Sequence, residues 1–207
     1  MRFRDPRTIN LTPLWVLIGV NVLVFIATSI ASGSPWGVSL DIAKQVGVNS
    51  ATISSQPWTI VSAMFIHDGI YHILFNMISL YFFGMYVLAL VGETRFFLVY
   101  FIGGIVGNAL FMLLSPGTVA VGASGAIFAL GGVLAVLVPR LKVMIFPVPV
   151  PMDLWIAILV IALISMLPGL YSGGLMTGVA WQAHLGGLLT GIAAGYIFKR
   201  QARQRRY

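Results

Sequence analysis

The sequence predicts an all-α membrane protein, in which six transmembrane helices form one bundle and a long external loop joins the first two. Three observations predict this fold class. The chain of 207 residues is 59% hydrophobic and only 8% charged, whereas about a quarter of the residues of a soluble domain are charged. Its apolar residues form six separate runs, and its basic residues are distributed unevenly between the connecting segments.

The six apolar runs are the predicted transmembrane helices. A bilayer core of about 30 Å needs about 20 helical residues at 1.5 Å per residue. The fourth and fifth runs are short, and their length also allows a re-entrant or a buried helix. The runs are Leu14 to Ala31, Tyr71 to Val91, Phe96 to Leu114, Ser124 to Val138, Leu154 to Leu167 and Val179 to Phe198.

The basic residues predict the orientation of this bundle. If all six runs cross the membrane, every one of the twelve Lys and Arg residues except Lys44 lies on the side of the termini. The positive-inside rule then places both termini in the cytoplasm. Topology therefore accounts for the net charge of +7. The basic tail from Lys199 is interpreted as an anchor beside anionic lipid, and the alternative of a nucleic-acid site is less favoured.

The chain is expected to form a single membrane domain, because no linker or change of composition divides it. A basic arm covers about residues 1–13, a helical core 14–198 and a basic tail 199–207. The first apolar run has no convincing signal-peptide cleavage site, so it is expected to stay as a helix. The chain has no Cys, which excludes disulfides and thiolate chemistry. Its small size favours a prokaryotic plasma membrane.

The segment from Ser32 to Asp68 interrupts the apolar pattern and is the predicted external loop. It contains two amphipathic stretches, Trp36 to Val48 and Trp58 to Ile66. Backbone groups at membrane depth must be hydrogen-bonded internally, so these stretches are predicted to be short helices in the membrane interface. Because loops of this length without a function are uncommon, this one could support a site.

Ser124 and His184 are the first candidate site residues, because both lie inside apolar runs. An imidazole at membrane depth is rare and marks a functional site by default. Ser124 precedes Arg140 by as many residues as His184 precedes Arg200, which corresponds to about 24 Å along a straight helix. The two side chains are therefore predicted to lie at the same depth, several Å below the outer surface.

Asn76 and His72 fall near the same layer. Asn76 lies about 26 Å along its helix from Glu93, and His72 is one turn higher on the same face. Each polar residue alone has a structural explanation: Ser124 could bond to its own helix, Asn76 could join helices and His72 could lie in the interface. Their convergence from three runs favours chemistry.

A serine and a histidine at one depth predict a catalytic dyad. His184 would take the Ser124 proton, which requires the hydroxyl to lie within about 2.6 to 3.2 Å of an imidazole nitrogen. It would return that proton to the leaving amine, and water would release the acyl group from Ser124. The backbone amide of Ser124, flanked by Gly122 and Gly125, could stabilise an oxyanion with Asn76 and His72.

Glycines predict the close helix packing that such a contact needs. One every fourth residue gives the last run a smooth stripe, and the fourth run has possible counterparts. Ordinary helix pairing would produce the same pattern. The stripe consists of Gly187, Gly191 and Gly195, and the counterparts are Gly125, Gly131 and Gly132.

In these residues the chain resembles the rhomboid intramembrane serine proteases. The family motifs are met by Gly122-Ala123-Ser124-Gly125, by Ala183-His184 with Gly187 and Gly191, and by His72-Ile73-Leu74-Phe75-Asn76. The resemblance extends from about Trp58 to Gly195 and implies a rhomboid-like bundle. It also implies that Ser124 is the nucleophile, His184 the general base and acid, and Asn76, His72 and the Ser124 amide the oxyanion donors.

The resemblance further implies that the substrates are transmembrane proteins, cut at or near the outer end of the membrane-spanning segment. Membrane lipid is the other expected partner, and no nucleic acid, cofactor or metal is expected. His67 corresponds to a family histidine with a supporting role. A hydrogen-bonding residue of the loop is the other interpretation of His67.

Two positions depart from the family pattern. A Trp-Arg pair is frequent in the first external loop, where this chain has Trp58-Thr59, so the loop must be anchored otherwise. A Tyr is frequent four residues after the nucleophile, where this chain has Phe128. Either ring can stack on the base imidazole, so only a hydroxyl contact is lost.

Other functions stay open from the sequence. A non-catalytic rhomboid-like protein would bind transmembrane clients, but the loss of Ser or His that is typical of that class has not occurred. A transporter with a histidine proton path predicts inverted repeats, and none is evident. A zinc protease would need a motif such as His-Glu-x-x-His, which is absent. For a protease, substrate entry is expected to involve the fifth span and the Gly-rich loop from Pro168 to Gly178.

Overall fold

The computed structural model describes residues 9–34, 37–145, 148–171 and 180–204. Several predicted features lie wholly or partly outside these ranges: the basic arm before residue 9, Trp36, residues 172–178 of the Gly-rich loop, Val179 at the start of the sixth run, and the end of the basic tail. The helices are α1 (Thr12–Ala31), α2 (Leu40–Val46), α3 (Thr59–Ser62), α4 (Ile70–Val91), α5 (Glu93–Leu114), α6 (Ser124–Leu137), α7 (Leu154–Tyr171) and α8 (Trp181–Gln204). A 3-10 turn covers Ala63–Phe65, and the strands are β1 (Lys142–Ile145) and β2 (Val148–Asp153).

Each of the six apolar runs forms a helix, namely α1, α4, α5, α6, α7 and α8. Among the described residues, α1, α4 and α5 are long and apolar enough to cross a membrane. Helix α6 and the apolar part of α7 are shorter, as the lengths of the fourth and fifth runs predict. The chain is therefore mostly helical, with at least three helices suited to a bilayer.

The prediction of an all-α chain missed a β-hairpin between α6 and α7. Strands β1 and β2 pair antiparallel, with Lys142 opposite Asp153 and Val143 opposite Met152. Proline alternates with valine in β2. Proline cannot donate to a strand ladder and is tolerated on edge strands; both strands of a hairpin have a free edge, so β2 can accommodate it.

Helix α7 is longer than the fifth apolar run. The run ends at Leu167, but the helix continues through Pro168 to Tyr171. The part of the predicted Gly-rich loop that the structure describes, Pro168 to Tyr171, is therefore helical.

Helices α6 and α8 pack backbone against backbone. A β-carbon at Gly187 would collide with the carbonyl of Gly125, and one at Gly191 with the carbonyl of Ala129. Helix α5 closes the group, because a β-carbon at Gly107 would lie 2.6 Å from the carbonyl oxygen of Ala183. The three helices form the tightest part of the core.

The predicted glycine stripe is confirmed on α8, but one of its counterparts is not. A β-carbon at Gly132 would lie 2.6 Å from the carbonyl oxygen of Leu188, so Gly132 faces α8. Gly131 instead faces α7 and α4, with Ile158 and Phe83 at an ordinary 3.5 Å. Adjacent residues of a helix point about 100° apart, and here Gly131 and Gly132 face different helices.

The segment between α1 and α4 contains short helices where the two amphipathic stretches predict them. Its backbone joins the segment that precedes α6, because Val48 and Ala120 exchange two hydrogen bonds of 2.9 and 3.0 Å. Two side chains hold it further: Ser62 Oγ donates to the carbonyl of Val46 at 3.0 Å, and Asn108 Nδ2 on α5 donates to that of Ile60 at 2.9 Å. These contacts fix the entry to α6.

Candidate active site

The side chains of Ser124 and His184 are in contact. Ser124 is the first residue of α6, and His184 lies in the first turn of α8. The distance from Ser124 Oγ to His184 Nε2 is 2.7 Å, which is within the range for proton transfer. His184 is 8% exposed. The close approach of the two helices at Gly125 and Gly187 produces this contact.

Phe128 orients the imidazole of His184. It follows Ser124 by one helical turn, so both side chains point to the same side of α6. The rings of Phe128 and His184 stack, with centroids 4.5 Å apart and planes at 20°. Within the described part of the chain, His184 Nδ1 has no hydrogen-bond partner. Stacking, rather than a third polar side chain, therefore defines the plane of the ring.

Gly122 allows His72 to approach Ser124. Its φ of 125° lies in the left-handed region, which side chains other than glycine rarely adopt. Its N–H donates to the carbonyl of Ala63 at 2.8 Å. A β-carbon at this position would lie 2.9 Å from His72 Nε2 and 3.8 Å from Ser124 Oγ. An atom beside Gly122 could thus lie within 4 Å of both His72 Nε2 and Ser124 Oγ.

The tautomer of His72 is set by the backbone. The N–H of Asp68 donates to His72 Nδ1 at 3.3 Å, so Nδ1 acts as the acceptor. In a neutral imidazole the other nitrogen then carries the hydrogen. His72 Nε2 is consequently a hydrogen-bond donor, and it is the nitrogen that faces Gly122.

Asn76 lies one turn after His72 and is 7% exposed. Its Nδ2 donates to the carbonyl of His72 at 2.8 Å, within the same helix. An amide nitrogen carries two hydrogens, so the second is available beyond this bond. The structure therefore gives Asn76 a contact that holds α4, and leaves one donor for a ligand.

His67 is completely buried against His72. The two rings meet edge to face, with centroids 5.1 Å apart. His67 Nδ1 lies 3.3 Å from the carbonyl oxygen of Phe65. Burial, followed by the charge of His72, lowers the pKa of His67 to about 3, so His67 is neutral at ordinary pH. It supports the loop and the ring of His72 at the same time.

The first turn of α6 presents free backbone donors. The N-cap residue Ala123 makes no side-chain cap, and its carbonyl accepts from Ile127 N–H at 3.0 Å. The amides of Ser124 and the next residues precede the first intrahelical donor, and such groups form an anion site. Ser124 thus offers its hydroxyl and its amide at one helix end.

Among the described residues, no three His, Cys, Asp or Glu side chains are grouped closely enough to hold a metal ion. His67 and His72 form a pair, and the third histidine, His184, contacts Ser124.

Sequence reasoning missed three polar residues that hold the surrounding structure. Asp68 contacts His72 through its backbone N–H, which no sequence pattern indicates. Asn108 is 6% exposed, and Gln182 donates from Nε2 to Ser115 Oγ at 2.5 Å. Both carry amides in or beside apolar runs, so the reasoning that singled out Asn76 would have found them.

Comparisons with known proteins agree with this architecture. The family model described as the rhomboid domain matches residues 54–201. Rhomboid protein 1, mitochondrial, of Saccharomyces cerevisiae is 33% identical over 156 residues, covering 71% of this chain and 44% of that protein. RHOMBOID-like protein 2 of Arabidopsis thaliana is 34% identical over 147 residues, covering 69% and 42%. Rhomboid protease GluP of Bacillus subtilis is 30% identical over 181 residues, covering 87% and 33%.

These relatives are longer proteins, and the chain spans less than half of the length of each of them. The matched region contains every candidate site residue, including Ser124 and His184. Its apolar helices identify an integral membrane protein. The chain belongs to the rhomboid family.

Proposed function

We propose that this protein is an intramembrane serine endopeptidase that uses Ser124 and His184 as a catalytic dyad. The observation that carries the proposal is the 2.7 Å contact between Ser124 Oγ and His184 Nε2 in a chain of the rhomboid family. Relatives whose names include the word protease support the reaction class. A general base in this position contributes about 10²- to 10⁴-fold to the rate.

In the first half of the reaction, His184 Nε2 takes the hydroxyl proton of Ser124, and Oγ attacks the carbonyl carbon of the scissile peptide. The tetrahedral intermediate then collapses as His184 donates the proton to the leaving amine. The C–N bond breaks and an acyl-enzyme forms on Ser124. In the second half, His184 activates a water molecule, which hydrolyses the ester and regenerates the hydroxyl.

The negative charge on the attacked oxygen needs donors on the side of Gly122. The Ser124 amide and the Nε2–H of His72 supply two, and the second hydrogen of Asn76 Nδ2 a third. Each well-placed donor contributes about 3 to 4 kcal/mol to the stability of the transition state. Phe128 keeps the imidazole in plane throughout, and His67 supports His72.

The length of α6 supports a site below the membrane surface. Its 14 residues extend about 21 Å at 1.5 Å per residue, whereas the core is about 30 Å thick. If α6 starts from the inner surface at its C-terminal end, Ser124 lies several Å below the outer surface. Water would reach it from that side, beside the segment that precedes α6.

The proposed topology has six crossing helices and one membrane domain. The basic residues of the helix ends support it: Arg95 Nη2 donates to Gln201 Oε1 at 2.9 Å, and Lys199 Nζ to the carbonyl of Val136 at 3.4 Å. These contacts bring one end each of α5, α6 and α8 together. By the positive-inside rule this end is cytoplasmic, so the loop between α1 and α4 and the site lie at the outer face of a prokaryotic plasma membrane.

The proposed substrates are proteins with a transmembrane segment, cut near its outer end. This follows from the depth of Ser124 and from the family to which the chain belongs. Within a bilayer such a segment must leave its helix locally before a peptide bond can reach Ser124 Oγ, because helical backbone groups are internally hydrogen-bonded. No cofactor has a role in this scheme.

Cleavage in proteoliposomes tests the proposal. Purified protein is reconstituted with a model single-pass substrate, and the products are identified by mass spectrometry. Wild type is expected to cut near the outer end of the transmembrane segment, whereas Ser124→Ala and His184→Ala abolish cleavage. Ser29→Ala is the matched control, because Ser29 is a buried serine of α1 outside the site.

Cleavage by Ser124→Ala at the wild-type rate would refute the dyad. Wild-type protein that binds the substrate without any cleavage would instead favour the non-catalytic, client-binding function. The two results are distinguished by retention of the intact substrate on immobilised wild-type protein.

A further inference from the structure

We propose that the β-hairpin Lys142–Asp153 docks into the anionic headgroup layer of the membrane at the basic end of the helices. This proposal concerns a different part of the molecule from the dyad and does not depend on proteolysis. It gives a function to an element that the sequence failed to predict.

The hairpin is held rigidly at the end of the bundle. Its strands are paired at their base, where Lys142 Nζ and Asp153 Oδ1 form a salt bridge of 2.7 Å. Two backbone hydrogen bonds close the base of the hairpin by joining the start of α7 to the residues that precede β1: Leu154 N–H donates to the carbonyl of Leu141 at 2.9 Å, and Trp155 N–H to that of Pro139 at 3.3 Å. Its orientation relative to α6 and α7 is therefore defined.

Each strand of the hairpin carries an apolar side chain that the rest of the protein leaves uncovered. Side chains alternate between the faces of a strand. Val143 packs against the hydrophobic core, and the next residue, Met144, is 69% exposed. Val150 on the other strand is 58% exposed. Exposure of such side chains to water is unfavourable, because moving apolar surface out of water lowers the free energy.

The surroundings of the hairpin continue the lipid-facing surface of the helices. Trp155, the second residue of α7, is 47% exposed, and Ile156 beside it is 36% exposed. Tryptophan is favoured where one end of a side chain is apolar and the other wet, at the level of the headgroups. The hairpin therefore emerges at the depth where the bilayer ends.

Positive charge at this end matches an anionic lipid surface. Basic side chains beside a membrane surface are attracted to anionic headgroups, and their aliphatic stems can lie along apolar surface. The 3.4 Å contact of Lys199 Nζ with the Val136 carbonyl places α8's basic end beside the start of the hairpin. The exposed basic residues of this end are Arg140, Lys142, Lys199, Arg200 and Arg203.

Lipid is favoured over a soluble protein partner as the occupant. An exposed apolar patch rimmed by charge is typical of either. The apolar surface here is continuous with that of α7, which a bilayer covers, and the charges around it are mostly basic. The acidic residues at this end are Asp153, which is paired with Lys142, and Glu93. A single surface, the membrane, satisfies both features.

Fluorescence labelling tests the proposal, and the absence of Cys from the sequence makes single labels straightforward. Met144→Cys and Val150→Cys are labelled with an environment-sensitive nitrobenzoxadiazole dye. Both side chains are exposed, so the fold is expected to tolerate the changes. Gln204→Cys, at the exposed end of α8, is the aqueous control. Vesicles contain phosphatidylcholine alone or mixed with phosphatidylglycerol, and the quencher is either a nitroxide-bearing lipid or iodide on both sides of the membrane.

In vesicles with phosphatidylglycerol, the labels at 144 and 150 are expected to show blue-shifted emission, quenching by the nitroxide lipid and loss of most of the quenching by iodide. When phosphatidylglycerol is removed or salt is added, the emission and quenching of the labels at 144 and 150 should become more like those of the label at 204. Iodide quenching as strong as at 204 in both kinds of vesicle would overturn the proposal and favour a soluble partner. Equal protection in both kinds of vesicle would refute the preference for anionic lipid.

Discussion

Two of the helices that contact α6, namely α8 and α7, pack against it in different ways. Helix α8 approaches backbone to backbone, because Gly187 and Gly191 face carbonyls of α6 with no room for a β-carbon. Helix α7 approaches through side chains, and Gly131 meets Ile158 at an ordinary 3.5 Å. The outer face of α7 is exposed between residues 155 and 164, at Trp155, Leu159, Leu163 and Ile164.

The two kinds of packing suggest a fixed position for α8 and a more mobile one for α7. A contact of 2.7 Å between two helices needs a fixed spacing, and carbonyl-to-glycine contacts leave α6 and α8 little freedom to move. Side-chain contacts allow small sliding motions. We therefore expect α7, and not α8, to move when a substrate enters. The dyad would then keep its geometry while the bundle opens.

The largest effect is expected from filling the contact between α6 and α8. Gly191→Leu places a side chain against the carbonyl of Ala129, which cannot move without shifting α6. The cost is expected to exceed the roughly 1 to 3 kcal/mol of ordinary overpacking. Thermal unfolding in detergent and cleavage assays should show loss of both fold and activity.

Gly19→Leu on α1 is the matched control, since no atom lies within 4 Å of a β-carbon there. It should unfold like wild type. A wild-type melting temperature for Gly191→Leu would contradict the rigid contact that the comparison assumes.

The next effect separates catalysis from packing by means of two buried asparagines. Asn76→Ala and Asn108→Ala each remove one side-chain donor to a backbone carbonyl, worth about 1 kcal/mol of stability. Only Asn76 lies beside the proposed oxyanion site, so only its loss should lower kcat by about 10²- to 10³-fold. Parallel measurements of kcat and melting temperature check this. Equal kcat values in the two variants would remove Asn76 from the proposed mechanism.

A smaller effect is expected at Phe128. Phe128→Leu removes the ring that stacks on His184 at 4.5 Å, an interaction worth about 0.5 to 1.5 kcal/mol. The expected loss in kcat/KM is about two- to tenfold, because 1.36 kcal/mol corresponds to a factor of ten. Phe128→Tyr keeps the ring and should retain nearly full activity. A loss in the Tyr variant as large as in the Leu variant would show that stacking is not what matters.

The smallest effect concerns the hairpin, which is far from the dyad. The hydrogen bond from Lys142 lowers the pKa of Asp153, so the folded carboxylate is favoured. The associated stability is present above the unfolded pKa of about 3.9 and is lost as the pH falls through the lower folded value. Amide hydrogen exchange in residues 142–153, corrected for intrinsic rates, should speed up below about pH 4. The contact between Ser124 and His184 should be unaffected.

Asp153→Asn is the control for this prediction, since an amide does not titrate in that range. Its hairpin exchange should not depend on this titration. The same acid response in wild type and Asp153→Asn would assign the change to another group.

Much of the site could be predicted because membrane helices are straight and their ends are marked by charge. Counting residues from Arg140 and Arg200 places Ser124 and His184 at one depth, and the structure has them in contact. The stripe of glycines on α8 follows from its spacing of four, which puts small residues on one face. Both arguments use only the regular geometry of a helix.

The rest depends on irregular backbone, which has no period to count. The donor tautomer of His72 depends on the backbone N–H of Asp68. The position of the His72 ring depends on the φ of Gly122. The hairpin lies in the segment that the sequence indicates only as a connection between the fourth and fifth runs, and its prolines argue against a strand. Gly131 does not face α8 as predicted, because the sequence does not define how α6 is rotated about its own axis.

Labelling with a fluorophosphonate, which reacts with activated serines, tests the central claim most directly, because it depends on the dyad and not on the choice of substrate. Wild type and the Ser29→Ala control are predicted to be labelled equally, whereas Ser124→Ala and His184→Ala are not labelled. The modified peptide should contain Ser124. Labelling of folded Ser124→Ala at the wild-type level, or none in folded wild type, would contradict the account.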